Sequence, residues 1–100
     1  MEEGHELLAL YQSMYDKVAP FVTKIEGILH LDNSNINSAY RKGKMMLQQL
    51  GHIRKGLDIL LSGDAVISYI HEDNAYSRRL LLQIRGDFER LEERLDLSGV

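Results

Sequence analysis

One short segment of the chain combines residue types that could do chemistry. His52 carries an imidazole, Lys55 follows it at i+3 and Gly56 at i+4. On a helix these positions lie on one side, so the Lys55 ammonium could neutralise a phosphoryl group carried by the imidazole. Gly56 would leave room for a partner, which would explain a residue that costs about 1 kcal/mol relative to alanine inside a helix. The simpler interpretation is a surface histidine in a basic helix.

The segment His52-Ile53-Arg54-Lys55-Gly56 resembles the H-x-x-K-G core of histidine phosphotransfer domains. The resemblance implies a helical bundle with an exposed, phosphoryl-accepting His52 on a mid-chain helix. The family pattern places an apolar residue two positions after the histidine, where this chain has Arg54. Phosphotransfer through His52, Lys55 and Gly56 is therefore an alternative function rather than the leading one.

The middle third of the chain is basic. Residues 33–63 hold five lysines and arginines against Asp58 alone, whereas acids outnumber bases on both flanks. The simplest interpretation is electrostatic pairing with acidic neighbouring helices. A further alternative is binding of a nucleic acid or another anion by Arg41, Lys42, Lys44 and Lys55. The net charge of −3 and the lack of interleaved aromatic residues disfavour a nucleic-acid surface.

Other chemistry finds little support in the sequence. There is no cysteine, which excludes disulfides, thiolate metal sites and a cysteine nucleophile. The four histidines are scattered, and the E-x-x-H spacing of di-iron bundles occurs once, from Glu2 to His5. No paired carboxylates, nucleophile–base pair or glycine-rich phosphate loop is present. We therefore expect no enzyme activity, no metal and no cofactor.

Two polar breaks divide the chain into three helices that must position these residues. Asp32-Asn33-Ser34-Asn35 offers side-chain oxygens that can cap a helix start, and Ser62-Gly63-Asp64 combines a stop with the next cap. The predicted helices span about residues 5–30, 35–62 and 64–96, within one domain covering residues 1–100. With 44% hydrophobic and 27% charged residues, the composition is that of a folded protein.

Apolar residues recur three and four positions apart in each segment, which is the helical period. The first stripe is Leu7, Tyr11, Met14, Val18, Phe21, Ile25 and Ile28, with Leu8, Tyr15, Val22 and Leu29 beside it. The second is Ile36, Ala39, Gly43, Met46, Leu50, Ile53, Leu57 and Leu60. The third is Ile67, Ile70, Asn74, Ser77, Leu81, Ile84, Phe88, Leu91 and Leu95. This pattern predicts an all-α, elongated, antiparallel three-helix bundle, with close helix packing at Gly43.

Two local features complicate this prediction. Pro20 lies inside the first helix, but the apolar phase continues through it, which favours one kinked helix over two. The polar patch at residues 71–74 interrupts the third stripe. We favour a continuous third helix, with a break near 71–74 that gives four helices as the alternative.

The apolar faces are wider than a two-helix contact requires, and this surplus suggests the leading function. We expect a non-catalytic protein–protein interaction module: a small adaptor, chaperone, inhibitor or assembly subunit that binds another protein or a second copy. The candidate anchors are Tyr69, Tyr76 and Leu80. The longest apolar run is Leu7–Tyr11, too short to cross a membrane, and we expect a cytoplasmic protein without a membrane partner.

Overall fold

Three long helices account for almost all of the described chain. The computed structural model describes the backbone of residues 2–31, 33–62 and 67–95 and the side chains of residues 4–30, 33–59 and 75–95. The helices are α1 (Glu2–Glu26), α2 (Ser34–Ser62) and α3 (Ile67–Arg94), and a 3-10 turn, Leu29–Leu31, follows α1. No strand occurs in these ranges. The body measures 49 × 19 × 17 Å, so the predicted elongated all-α bundle is confirmed.

The connection between α1 and α2 begins earlier in the chain than the sequence predicts. The α-helix stops at Glu26, four residues before the predicted end. Gly27 follows, and the amide of Ile28 then donates to the carbonyl of Ile25 at 2.9 Å, the tighter i→i−3 pattern. At the other end Asn33 caps α2, because its Oδ1 accepts from the amides of Asn35 at 2.8 Å and Ile36 at 3.3 Å. The predicted polar cap is confirmed.

The third helix is continuous. Its backbone runs from Ile67 to Arg94 through the polar patch at 71–74, so the four-helix alternative is wrong. A helix tolerates a short polar interruption because its hydrogen bonds are made by the backbone. The predicted limits at 64 and 96, and the side chains of 71–74, lie outside the described residues.

The first helix also continues through its proline. Pro20 leaves one carbonyl of the preceding turn without its usual amide partner. The ring lies on the exposed face, where water can take the place of that amide. The apolar phase on both sides keeps the two halves on the same core, and α1 remains one helix.

One apolar core joins the three helices along the predicted stripes. Its buried members on α1 are Leu7, Tyr11, Met14, Val18, Val22 and Ile25, with Ile28 just beyond the helix end. Those on α2 are Ile36, Ala39, Met46, Leu50, Ile53 and Leu57. Those on α3 are Leu81, Ile84, Phe88 and Leu91. The half-buried Phe21 packs edge-to-face against Phe88 with ring centroids 5.1 Å apart.

The contact between α1 and α2, here called the α1–α2 seam, is the most extensive of the three. Gly43 is buried in it, and a Cβ atom there would lie 2.7 Å from Cγ2 of Val22. Glycine therefore allows the two backbones to approach, as the sequence predicted. At the two ends of the seam, the Tyr40 hydroxyl donates to Glu26 Oε1 at 3.2 Å and the Arg54 guanidinium lies 5.6 Å from the centre of the Tyr11 ring.

Candidate protein-binding groove between α2 and α3

Among the residues that the structure describes, the contact between α2 and α3 is the least extensive of the three, and a long surface groove lies between these helices. Two depressions of about 370 and 410 Å³ share Gln49 and together form what is here called the α2–α3 groove. From α2 it is lined by Lys42, Met45, Met46, Gln49, His52, Ile53 and Gly56. From α3 it is lined by Tyr76, Ser77, Leu80, Gln83, Asp87, Arg90, Leu91 and Arg94.

The helical period explains why these residues share one surface. On each helix the rim positions are three or four residues apart, which places them along one side of the helix beside the core stripe. The helices run antiparallel, so Gly56 faces the Tyr76 end of α3 and Lys42 faces the Arg94 end. From Lys42 to Gly56 the groove follows α2 for roughly 21 Å, at about 1.5 Å per residue.

Apolar side chains line both depressions of the groove. Met45 is 61% exposed and Tyr76 is 60% exposed, although both are large and apolar. The half-buried Leu80 packs against the core between them. Gln49 and Gln83 add amide groups that can both donate and accept hydrogen bonds. A flexible methionine and a tyrosine at a partly polar surface are typical of protein-binding sites.

Charges are concentrated at one end of the groove. Lys42, Arg90 and Arg94 line this end together with Asp87. Asp87 forms an ion pair with Arg90. Lys42 and Arg94 form no ion pair with any residue of the described chain. This end of the groove therefore holds two cations that have no ion-pair partner in the described part of the chain.

The acids of the same helix end face the other way. Glu92 and Glu93 line a cleft between α1 and α3, opposite Lys17 and Lys24 of α1. The helical period thus separates the charged side chains at the C-terminal end of α3. Arg90 and Arg94 lie toward α2, and Glu92 and Glu93 lie toward α1. The α1–α3 cleft balances its charges and the α2–α3 groove does not.

The opposite end of the groove contains part of the phosphotransfer constellation. His52 is exposed and lines the groove with Gly56, and a Cβ atom at Gly56 would meet nothing within 4 Å. Lys55 is exposed but does not line the groove. The structure therefore joins the predicted phosphoryl acceptor to two of the predicted protein-binding anchors, Tyr76 and Leu80. The third anchor, Tyr69, has a side chain outside the described residues.

The predicted anion-binding residues do not share one site. Lys42 lines the groove, whereas Arg41, Lys44 and Lys55 are exposed outside it. The Lys44 ammonium lies 5.8 Å from the centre of the Tyr40 ring, beside the α1–α2 seam. Within the side chains that the structure describes, no three histidines or acids are grouped as a metal site would require.

Sequence reasoning missed Met45, Gln49, Gln83, Arg90 and Arg94 as members of a site. The available signal was their three-to-four spacing, because residues 76, 80, 83, 87, 90 and 94 follow a line beside the core stripe of α3. Which neighbouring helix such a line faces depends on the arrangement of the helices around the core.

Comparison with known proteins finds no relative of this chain. No family model, no curated protein and no solved structure matches the chain. No helix in the described part of the chain combines the length and apolar character needed to cross a membrane.

Proposed function

We propose that the chain is a non-catalytic protein-interaction module that binds another protein in the α2–α3 groove. One observation carries this proposal: Met45 and Tyr76, the two most exposed large apolar side chains of the described chain, both line this groove. Single exposed apolar residues are common on protein surfaces, but several on one groove favour a binding site. Adaptors, chaperones, inhibitors and assembly subunits all act through such surfaces.

The mechanism is packing of a partner's apolar side chains between the two helices. Tyr76 and Met45 would lose most of their exposed area on binding, and tyrosine is frequent among the residues that dominate binding energy. Leu80 and the buried floor beneath it hold the groove in place. The glutamines and terminal charges would then orient the partner, since polar rims contribute more to specificity than to affinity.

Affinity capture with matched variants tests the proposal. The full chain is used as bait in an extract of the source cell, beside the variant Met45→Ser/Tyr76→Ser. A control variant, Tyr15→Ser/Leu82→Ser, removes two exposed apolar residues that do not line the groove. We expect the control to retain the partner, and the groove variant to lose it while keeping its helical circular dichroism. Equal capture by both variants would show that the groove is not the binding surface.

Phosphotransfer is a second candidate, favoured by the exposure of His52 and the open space at Gly56 on the same groove. In that reaction the phosphoryl group leaves an aspartyl phosphate of a receiver domain and bonds to an imidazole nitrogen, which frees the receiver's carboxylate. Incubation with a receiver domain carrying labelled phosphate tests it. We expect an acid-labile label on the chain and none on His52→Gln. An unlabelled wild-type chain would exclude this candidate.

A further inference from the structure

We infer that the α2–α3 groove receives an amphipathic helix of another protein, with carboxylates against Lys42 and Arg94 and a bulky apolar side chain against Gly56 and Tyr76. This inference rests on the proposed function and specifies its partner. Three independent features of the groove support it: the charge at one end, the open space at the other, and the spacing of the residues between them.

The charge feature predicts carboxylates. Lys42 and Arg94 are cations without an ion-pair partner among the described residues, and two described acids near Arg94, Glu92 and Glu93, line the α1–α3 cleft instead. Asp87, the only carboxylate at this end among the described residues, is already paired with Arg90. A partner with acidic residues here would therefore meet complementary charge, and a basic partner would be repelled.

The open space predicts a bulky apolar group. Nothing lies within 4 Å of the position that a Cβ atom would take at Gly56, and the neighbouring Tyr76 ring is mostly exposed. Any larger residue at position 56 would narrow this end of the groove. Glycine costs helix stability here without allowing a close contact to any described residue, so the space it leaves is suited to a side chain of the partner.

The spacing predicts a helix rather than an extended segment. Rim residues three and four apart on two antiparallel helices form a row of gaps that accepts side chains with the same helical spacing. An extended segment binds by pairing with free backbone N–H and C=O groups at a sheet edge. In α2 and α3 these groups are hydrogen-bonded within each helix. A fourth helix in the groove would bury the exposed sides of α2 and α3.

The same features disfavour a second copy as the occupant. Outside the groove, the exposed large apolar residues of the described chain are Tyr15, Ile59 and Leu82, and each lies on a different helix. The exposed side of α1 carries charges of both signs, as at Asp16 and Lys17. Tyr15 is the one exposed large apolar residue on the described part of α1, so this helix offers no apolar stripe to the groove of a second copy.

Two synthetic helical peptides test the inference on the full chain. Both have about 18 residues, or roughly 27 Å of helix, with leucines at three-to-four spacing and a phenylalanine near one end. One carries glutamates at the other end, and its twin carries lysines in the same positions. Fluorescence anisotropy of a labelled peptide measures the dissociation constant. We expect the glutamate peptide to bind about tenfold more tightly than the lysine peptide, with a preference that falls as salt is added.

Matched variants of the chain locate the binding. Lys42→Glu/Arg94→Glu should reverse the order of the two peptides, whereas Arg79→Glu/Arg85→Glu, which changes exposed arginines outside the groove, should preserve it. Gly56→Leu should raise the dissociation constant of the glutamate peptide about tenfold, and Gly51→Leu should leave this constant unchanged. Equal affinity for the two peptides, no binding of either, or an unchanged order in Lys42→Glu/Arg94→Glu overturns the inference.

The capture experiment separates this failure from failure of the proposed function. If the peptides do not bind but Met45→Ser/Tyr76→Ser still loses a captured protein, the groove binds a partner of another kind. If sedimentation shows that the chain forms dimers that this variant dissociates, the occupant is a second copy and the inference is wrong. If the groove variant captures as well as the control, the proposed function fails too.

Discussion

The α1–α2 seam and the α2–α3 groove show how one helix can use the same residue type in opposite ways. Gly43 is buried in the seam, where a Cβ atom would lie 2.7 Å from Val22. Gly56 borders the groove, where a Cβ atom would meet nothing within 4 Å. Glycine thus permits close packing at one place and leaves an unfilled surface at the other. A glycine in a helical sequence does not by itself distinguish these roles.

Polar contacts follow the same division. Tyr40 and Arg54 of α2 both reach α1 side chains across the seam. Among the described residues, no ion pair joins α2 to α3. The polar groups of the groove are therefore available to a partner, while those of the seam already serve the fold. Four predictions can break or sharpen this comparison.

The largest expected difference is between Leu50→Ala and Leu80→Ala. Leu50 is fully buried, and its truncation leaves a cavity, so we expect the free energy of unfolding to fall by about 2–5 kcal/mol. Leu80 is half-buried at the groove, where the surroundings can relax and water can enter, so we expect less than half of that loss. Urea denaturation of each variant measures both values. Equal losses would mean that the groove is packed as tightly as the core.

Gly43→Ala tests the close approach in the seam. The added methyl group must displace Val22, which is buried and stiff at χ1, so we expect a net loss of about 1–3 kcal/mol despite the better helix propensity of alanine. Val22→Ala should relieve this conflict. In a double-mutant cycle the pair should then be less destabilised than the sum of the single variants, by about 1 kcal/mol. Additive effects would show that the loss in Gly43→Ala does not come from contact with Val22.

Gly56→Ala and Gly51→Ala should both stabilise the chain. Both glycines are exposed, and neither position has a neighbour within 4 Å of an added Cβ atom. Each substitution should therefore gain about 0.5–1 kcal/mol from helix propensity alone. Thermal unfolding followed by circular dichroism measures the gain. A destabilised Gly56→Ala would place an intramolecular contact in the space that we assign to a partner.

The smallest effect concerns Tyr11 in the seam. Burial raises the pKa of its hydroxyl above the ordinary value of about 10, and the nearby Arg54 cation opposes this shift. A raised pKa in the folded state means that the unfolded chain loses this proton first, so stability should fall as the pH rises above about 10. Tyr11→Phe should be less sensitive over that range. Urea unfolding at pH 8 and above pH 10 compares the two chains, and identical alkaline losses would exclude Tyr11 as the cause.

Most of the fold could be predicted because burial follows the helical period. The stripes in all three helices are continuous enough to survive Pro20 and the polar patch at 71–74. The end of α1 was missed because apolar residues continue in phase past Gly27, although the backbone tightens there. An apolar pattern reports which side is buried, and backbone hydrogen bonds decide where a helix stops.

The groove was harder to predict, for a geometric reason. The sequence places Arg90 and Arg94 on one flank of the α3 core stripe and Glu92 on the other. A three-helix bundle can turn in either direction, and that choice decides which flank faces α1 and which faces α2. Tyr76 and Leu80 could be found because apolar residues beside a core stripe are conspicuous. To predict that the cations line the groove, one would need the handedness of the bundle, which an apolar pattern does not specify.

The open position at Gly56 also has a genetic consequence. Every glycine codon becomes an alanine codon by one base change, so this more stable variant is always within reach of mutation. A library selected only for resistance to heat should accumulate alanine at positions 51 and 56 alike. A library selected for retention of the cellular partner should accept larger residues at 51 and reject them at 56. The spectrum of surviving substitutions would thus record which part of the surface is in use.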